Sequence, residues 1–378
     1  MKIGIDIRAL EGSEYGGVAE YIKNILPEMF SIAPEHSFYI FCSSYRHKVN
    51  LEKFNLPNVE ILEFRYPNKL FNFFSRYLNF PKVDKIMGGL DIFFSPHFLP
   101  VALSENCLRV TTFHDLSFEL FPHFFDRKRR LWHKYIKPKK QAELSDAIIA
   151  VSESTKSDLE DLYDIDTEKI QVVYSGITTP PAEKNKWSNI RKKYKLPHEY
   201  ILSLSTIEPR KNIRSTLRAF RHIASKKEFS HIRLVIAGSL GWSYKDIFAE
   251  IKNIPEIKNK IIFTGPIDEK DKFEIYKNAT IFVYPSLYEG FGFPPLEAMS
   301  QGVPAVVSFS TSLPEVTGGA ALLVDPTRPI EIADAIEELI TDSRLYNKFS
   351  EDGKKQATNF TWAKAAQETL RVFENIST

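Results

Sequence analysis

The chain carries 378 residues, 43% of them hydrophobic and 26% charged, with a net charge of +2. That length exceeds one ordinary core and suits two domains, and the composition excludes disordered and fibrous classes. The near-neutral balance argues against nucleic acid as a partner, and the only cysteines, Cys42 and Cys107, exclude a disulfide framework and a cysteine-rich zinc site.

The opening Met1-Lys-Ile-Gly-Ile-Asp-Ile-Arg8 is broken by charge where a secretion signal needs an apolar run, and residues 3–7 predict a first buried strand. Gly16-Gly17 then leads into an amphipathic helix over 18–29. Short apolar runs follow at 38–42, 59–62, 91–94, 109–113 and 147–151, several of them separated by helix-length patterns. Continuous short strands alternating with helices imply a parallel sheet covered on both faces. The stretch 174–187, rich in proline and polar residues, is the hinge candidate. A second series of strands is expected at 200–204, 233–237, 260–263, 281–284, 305–308 and 321–324. Thr361 is placed to cap a last helix that runs to Phe373. The expected fold class is α/β, with two doubly wound domains over 1–178 and 179–360 and a terminal segment over 361–378. No segment has the apolar length of a membrane span, so a soluble, cytoplasmic protein is expected.

The most informative stretch is Glu289-Gly-Phe-Gly-Phe-Pro-Pro-Leu-Glu297. A strand precedes it, Pro294 and Pro295 suit a first helical turn, and Gly302 with Pro304 stops the helix before the next strand. Glu289 is expected in the loop and Glu297 on the first turn of the helix. With 48 acidic residues in the chain, such a pair alone is weak; the glycines and prolines between carry the specificity. The whole segment closely resembles the E-x7-E signature of glycosyltransferase family 4, retaining enzymes of the GT-B fold. In that fold two Rossmann-like domains face a central cleft, and the terminal helix crosses back onto the first domain.

Ser205-Thr-Ile-Glu-Pro-Arg-Lys-Asn212 follows a strand and precedes a helix, so Arg210 and Lys211 can place two cations over a phosphate, with Asn212 capping the helix. Alone this reads more readily as an exposed basic pair beside a helix start. The resemblance implies that both cations bind the donor diphosphate and stabilise it as it leaves. It likewise implies that Gly16 and Gly17 lie near the donor phosphates, and that His114 lies beside the donor sugar and takes part in catalysis. Asp115 either caps the next turn or touches the acceptor. Glu289, with the loop N–H groups of Gly290, Phe291 and Gly292, is expected on the transferred sugar, and Glu297 on the ribose hydroxyls. Gly238 and Gly265 close strands where the family holds the base and ribose, with Ile267 as a backbone contact to the base.

Asp164-Ile-Asp166 lies in a polar loop after a helical pattern, where capping explains it better than a divalent metal does. No metal and no cofactor are expected, the nucleotide sugar being a substrate. The densest basic run, 127–140, interleaves Leu131, Trp132, Tyr135 and Ile136, and with the aromatic tract 70–80 it could dock on anionic lipid at the inner face of a membrane. A helix with a buried apolar face and solvated cations is the alternative. Residues 113–122 and the basic run look most like mannosyltransferases of bacterial surface-polysaccharide assembly. The expected reaction moves a hexose, mannose from GDP-mannose preferred, to a hydroxyl of a glycan or lipid-linked acceptor. A UDP-sugar donor, a nucleotide-sugar epimerase of the same fold and a non-catalytic nucleotide-sugar-binding subunit are the alternatives.

Overall fold

A computed structural model of the chain describes residues 1–11, 16–43, 50–64, 66–178 and 187–377; the part of the hinge candidate at 179–186 lies outside the described residues. Two compact units emerge. The first comprises Met1–Leu116, Arg127–Gly176 and Phe360–Thr378, and the second comprises Ser117–Asp126 and Ile177–Asn359.

Unit 1 holds a seven-stranded parallel sheet of β1 (Lys2–Asp6), β2 (Ser37–Ser43), β3 (Val59–Phe64), β4 (Ile92–Ser95), β5 (Leu108–Phe113), β6 (Ala147–Ala150) and β7 (Ile170–Val172), in the order β3-β2-β1-β4-β5-β6-β7. Unit 2 holds β8 (Tyr200–Leu204), β9 (Arg233–Ala237), β10 (Ile261–Gly265), β11 (Ile281–Tyr284), β12 (Ala305–Ser308) and β13 (Leu322–Val324), ordered β10-β9-β8-β11-β12-β13. In both sheets the order reverses beside the first strand, which opens a crevice at the carboxyl edge next to β1 and next to β8.

The sequence pattern explains the layering. Along each strand of unit 2, successive residues enter opposite cores: Ile201, Leu234, Ile236, Ile281 and Val283 join one cluster, while Tyr200, Leu202, Val235, Phe282 and Tyr284 join the other. Period-two alternation sends neighbours to opposite faces, and both faces are apolar because helices cover both. β7 is not among the predicted strands, since in Ile170-Gln-Val172 only Ile170 is fully buried and no apolar run marks it.

The helix Trp362–Ser377 belongs to unit 1, where Trp362 meets Tyr21 of the helix Gly17–Ile32 edge-on at 6.0 Å and Phe373 meets Phe94 of β4 at 5.3 Å. Thr361 Oγ1 accepts from the Lys364 amide at 3.2 Å, a working N-cap. Gly176 is needed where the chain passes this helix, because a Cβ there would lie 2.2 Å from the Trp362 backbone nitrogen. The sequence gives no hint that Ser117–Asp126 belongs to unit 2. There Phe121 packs on Tyr288 at 5.7 Å, Phe125 stacks on Trp242 at 5.6 Å, and the Trp242 indole donates to the Phe124 carbonyl.

Candidate functional site

The expected site residues lie at the carboxyl edges of the two sheets. In unit 2, β8 ends at Leu204 and the chain turns through Pro209–Lys211 into the helix Ile213–Ser225, while β11 ends at Tyr284 and runs through Glu289 into the helix Phe293–Ser300. These two loops are stitched together by the Leu287 amide, which donates to the Arg210 carbonyl at 2.9 Å.

Arg210, Lys211 and Glu289 meet directly. Lys211 Nζ donates to Glu289 Oε1 at 2.5 Å and to the Tyr284 hydroxyl at 2.7 Å, and Arg210 Nη1 donates to Glu289 Oε2 at 3.1 Å. Tyr284 and Ser286 hydroxyls also donate to Glu289 Oε1, at 2.9 and 2.5 Å. Arg210 Nε in turn donates to Glu208 Oε1 at 3.1 Å. Two cations and two carboxylates therefore form one buried knot in which each charge has a partner, as burial demands. Burial pushes the Glu289 carboxyl up, but Arg210, Lys211 and the Lys211 and Ser286 hydrogen bonds outweigh it and hold its pKa at about 2. Burial, with Arg210 alongside, lowers the Lys211 pKa below that of an exposed lysine, an effect that Glu289 and Glu208 only partly offset. Glu289 is thus an anion at neutral pH, and an arriving polyanion meets cations already fixed in position.

The 289–292 loop is pinned from the β12 side. Thr311 Oγ1 accepts from the Glu289 amide at 3.0 Å, and Ser312 Oγ shares its one proton between the Glu289 and Phe291 carbonyls, at 3.0 and 2.9 Å. Gly290 and Phe291 are buried, and Gly292, at φ +105°, needs glycine because a Cβ would also strike Leu313 at 2.6 Å.

Two expectations need correction. Glu297 is not on the first helical turn: the helix begins at Phe293, so the macrodipole does little for it, and instead Lys272 Nζ at 2.6 Å and the Tyr276 hydroxyl at 2.9 Å hold its carboxylate. Asn212 does not cap with its side chain. It adopts a left-handed conformation (φ 52°), and its Nδ2 donates to the Pro285 and Pro326 carbonyls at 3.0 and 2.7 Å, tying three loops together.

Beside this knot the carboxyl ends of β9 and β10 supply the glycines. The Gly238 amide donates to the Gly265 carbonyl at 2.9 Å, and both residues have positive φ, +133° and +72°. Gly238 also lies so close to β8 that a Cβ would meet the Ser205 carbonyl oxygen at 2.0 Å. Ile267 follows in the same loop, partly buried against the core.

In unit 1, Gly16 and Gly17 are exposed at the start of the helix Gly17–Ile32, Gly16 with φ +119° and its carbonyl accepting from the Glu20 amide. His114 and Asp115 follow β5 directly and are partly buried. His114 Nε2 lies 2.8 Å from the Pro96 carbonyl; a carbonyl only accepts, so Nε2 carries the proton and Nδ1 the lone pair. Burial lowers the His114 pKa, against the Pro96 bond and Asp115, so the ring is neutral at physiological pH. Asp164 ends the helix Glu153–Tyr163 in a left-handed conformation, and Asp166 accepts from the Glu168 amide at 3.0 Å, so both are accounted for as caps. The basic run is not one helix: Arg127–Ile136 ends where Lys137 turns left-handed (φ 53°), and of its apolar residues Ile136 is buried while Leu131 is 67% exposed.

Several members of the knot are not in the sequence-derived set. Glu208 stands within the quoted string, but Tyr284 and Ser286 read as strand and turn residues, and Lys272 and Tyr276 as one helix among many. Only the fold brings them to the two glutamates.

Comparison with known proteins accords with this geometry. The model for glycosyl transferases group 1 matches residues 185–356, and that for glycosyltransferase family 4 matches residues 15–179. The O-antigen chain mannosyltransferase B of Escherichia coli is 33% identical over 292 residues, covering 75% of this chain and 74% of the relative. The serotype-specific mannosyltransferase WbdA of Escherichia coli is 29% identical over 246 residues, 64% of this chain but 30% of the relative, so this chain spans less than a third of that protein. Among solved structures, a sucrose-phosphate synthase from Thermosynechococcus elongatus superimposes with a TM-score of 0.77 at 17% identity, covering 99% of this chain and 98% of the other. With two parallel α/β sheets and these relatives, the chain belongs to the group 1 glycosyltransferases of family 4 and has the GT-B fold.

Proposed function

We propose that this glycosyltransferase transfers mannose from GDP-mannose, with retention of anomeric configuration, to a hydroxyl of a glycan or lipid-linked acceptor. The observation that carries the reading is the buried contact of Lys211 and Arg210 with Glu289 at a parallel-sheet carboxyl edge, where nucleotide ligands bind. Kinship with O-antigen mannosyltransferases supports mannose over other hexoses.

In this mechanism Arg210 and Lys211 hold the donor diphosphate. As the bond from the anomeric carbon to the leaving oxygen breaks, its electron pair goes to the diphosphate, and the two cations neutralise the charge that grows there. The acceptor hydroxyl attacks from the same face and passes its proton to the departing phosphate oxygen, so the protein supplies no base. Glu289 keeps the cations in place and turns its negative charge toward the oxocarbenium character of the sugar. Gly290, Phe291 and Gly292 shape the sugar side, while Glu297 takes the ribose hydroxyls, with Gly238, Gly265 and Ile267 around the base. Neutral His114 offers Nδ1 to a sugar hydroxyl, Asp115 is assigned to the acceptor, and the helix start at Gly16 and Gly17 is assigned to the phosphates. The cations do the electrostatic work that a metal does in other transferases.

Incubation with a panel of GDP- and UDP-sugars tests the reading. Acceptor-dependent release of GDP from GDP-mannose supports it; release from UDP-sugars alone moves the donor, sugar interconversion without acceptor makes the protein an epimerase, and binding without turnover makes it a non-catalytic nucleotide-sugar-binding subunit.

A lipid-linked acceptor fits one surface of unit 1. The helix Asn68–Tyr77 exposes Leu70, Phe73 and Tyr77 along one face, and Leu78 and Phe80 continue it at 61% and 63% exposure. Arg76 of this helix donates to the Tyr135 carbonyl of the helix Arg127–Ile136, whose Arg127, Lys128, Arg130 and Lys134 are exposed. Aromatics beside concentrated cations, in a chain of net charge +2, suit an anionic bilayer. Among the described residues no helix is long and apolar enough to cross a membrane, so such docking is peripheral. Co-sedimentation with phosphatidylglycerol vesicles should be salt-sensitive and weakened by Phe73→Ser; binding that ignores both salt and this change excludes it.

A further inference from the structure

His97 follows β4 as His114 follows β5, on neighbouring parallel strands in register at Ser95 and Thr111. The two loops are joined, since His114 donates to the carbonyl of Pro96, the residue before His97. The two imidazoles lie 6.0 Å apart by ring centroids. The His97 ring is also nearly parallel to the Trp132 indole, 8° between planes and 6.2 Å between centroids, and the Phe98 ring centroid lies 4.2 Å from that of His97. Trp132 is 37% exposed.

One feature of this cluster is unsatisfied. His97 Nδ1 is buried and has no hydrogen-bond partner among the described residues. A buried polar atom left unpaired is costly, and in folded proteins such atoms are normally paired by protein groups or ordered water. Burial, with His114 and His133 nearby, lowers the His97 pKa to about 3. An uncharged imidazole gives one donor and one acceptor, which matches a hydroxyl and gives no charge to a phosphate. A flat, half-open indole offers the apolar face that the C–H side of a pyranose covers. Nothing in the 289–297 or 205–212 loops supplies such a pair of groups, and they stand at the sheet edge where ligands of this fold class bind.

We infer that His97 and Trp132 form a saccharide subsite on unit 1: the indole takes the C–H face of an uncharged hexopyranose, and His97 hydrogen-bonds its hydroxyls. Reading that sugar as the acceptor rests on the transferase function proposed above. His97 is then a specificity residue for the acceptor, distinct from the groups that hold the donor.

The test is saturation-transfer NMR on the full chain with α-1,2-mannobiose, α-1,3-mannobiose and maltose, with GDP-induced thermal stabilisation measured on the same samples. Wild type should transfer saturation to pyranose protons of at least one disaccharide. His97→Ala and Trp132→Ala should each weaken that binding by roughly tenfold, the scale of one lost buried hydrogen bond or stacking contact. His97→Asn, which keeps a donor and an acceptor, should recover part of it, and the GDP shift should be unchanged in all three. Absence of transfer to all three disaccharides in wild type, or binding as tight as wild type in either alanine variant, overturns the subsite. If GDP does not stabilise wild type while disaccharide binding depends on His97, the subsite stands and the transferase reading falls.

Discussion

Lys211 and Glu289 come from different loops, 78 residues apart in sequence, yet their charged atoms lie 2.5 Å apart with both side chains less than a tenth exposed. The pair holds a cation ready where the proposed donor diphosphate would lie. Removing one partner strands the other. Lys211→Met should lower stability by about 2–4 kcal/mol, less than a lone buried pair would lose, because Arg210, Tyr284 and Ser286 still reach Glu289. Denaturant midpoints for unit 2 check this; an unchanged midpoint would show that the pair is not held as described.

The two glutamates should separate kinetically. Glu289→Gln should lower kcat by roughly 10²-fold, because charge stabilisation is needed most in the transition state. Glu297→Gln should chiefly raise the donor KM, because ribose contacts serve ground and transition states alike. Steady-state kinetics with GDP-mannose decides it, and near-full turnover in Glu289→Gln with loss in Glu297→Gln would reverse the assignment.

Two glycines of the same edge should respond differently to alanine. Gly238→Ala meets a backbone oxygen at 2.0 Å as well as a φ of +133°, whereas Gly265→Ala meets open space and only the φ of +72°. Gly265→Ala should cost about 1–2 kcal/mol from backbone strain. Gly238→Ala should cost clearly more and displace β8 from β9. Equal midpoints for the two variants would contradict the crowding at Ser205.

Acid titration offers another check. Glu289 has a folded pKa of about 2, below its unfolded value, so its contribution to stability is present above the ordinary carboxylate range and is lost as pH falls toward 2. His114 and His97 have pKa values lowered by burial, and both stay neutral through the physiological range. From pH 7 upward these groups should leave kcat/KM flat. An inflection near 6.5 that vanished in His114→Ala would contradict a neutral His114.

Much of the fold is legible because buried parallel strands leave continuous apolar runs: β1, β2, β5, β6 and β8 to β12 all carry one. β7 leaves no such run, because an edge strand of three residues, one of them Gln171, buries too little. Arg210, Lys211 and Glu289 stood out because glycine and proline punctuate their loops, which places charges at strand ends. Their partners are another matter. Tyr284 and Ser286 look like strand and turn, Lys272 lies on a helix that local pattern cannot relate to Glu297, and the left-handed backbone of Asn212 cancels the capping its residue type suggests. His97 carried no signal at all, since its chemistry arises from a neighbouring strand and a helix 35 residues on.

The most direct measurement is isothermal titration of GDP and GMP into wild type, Arg210→Ala and Lys211→Ala. If these side chains grip the diphosphate, GDP should bind wild type well, lose roughly tenfold or more in affinity in each variant, and GMP should bind weakly and equally to all three proteins. GDP affinity that is the same in all three would contradict the account.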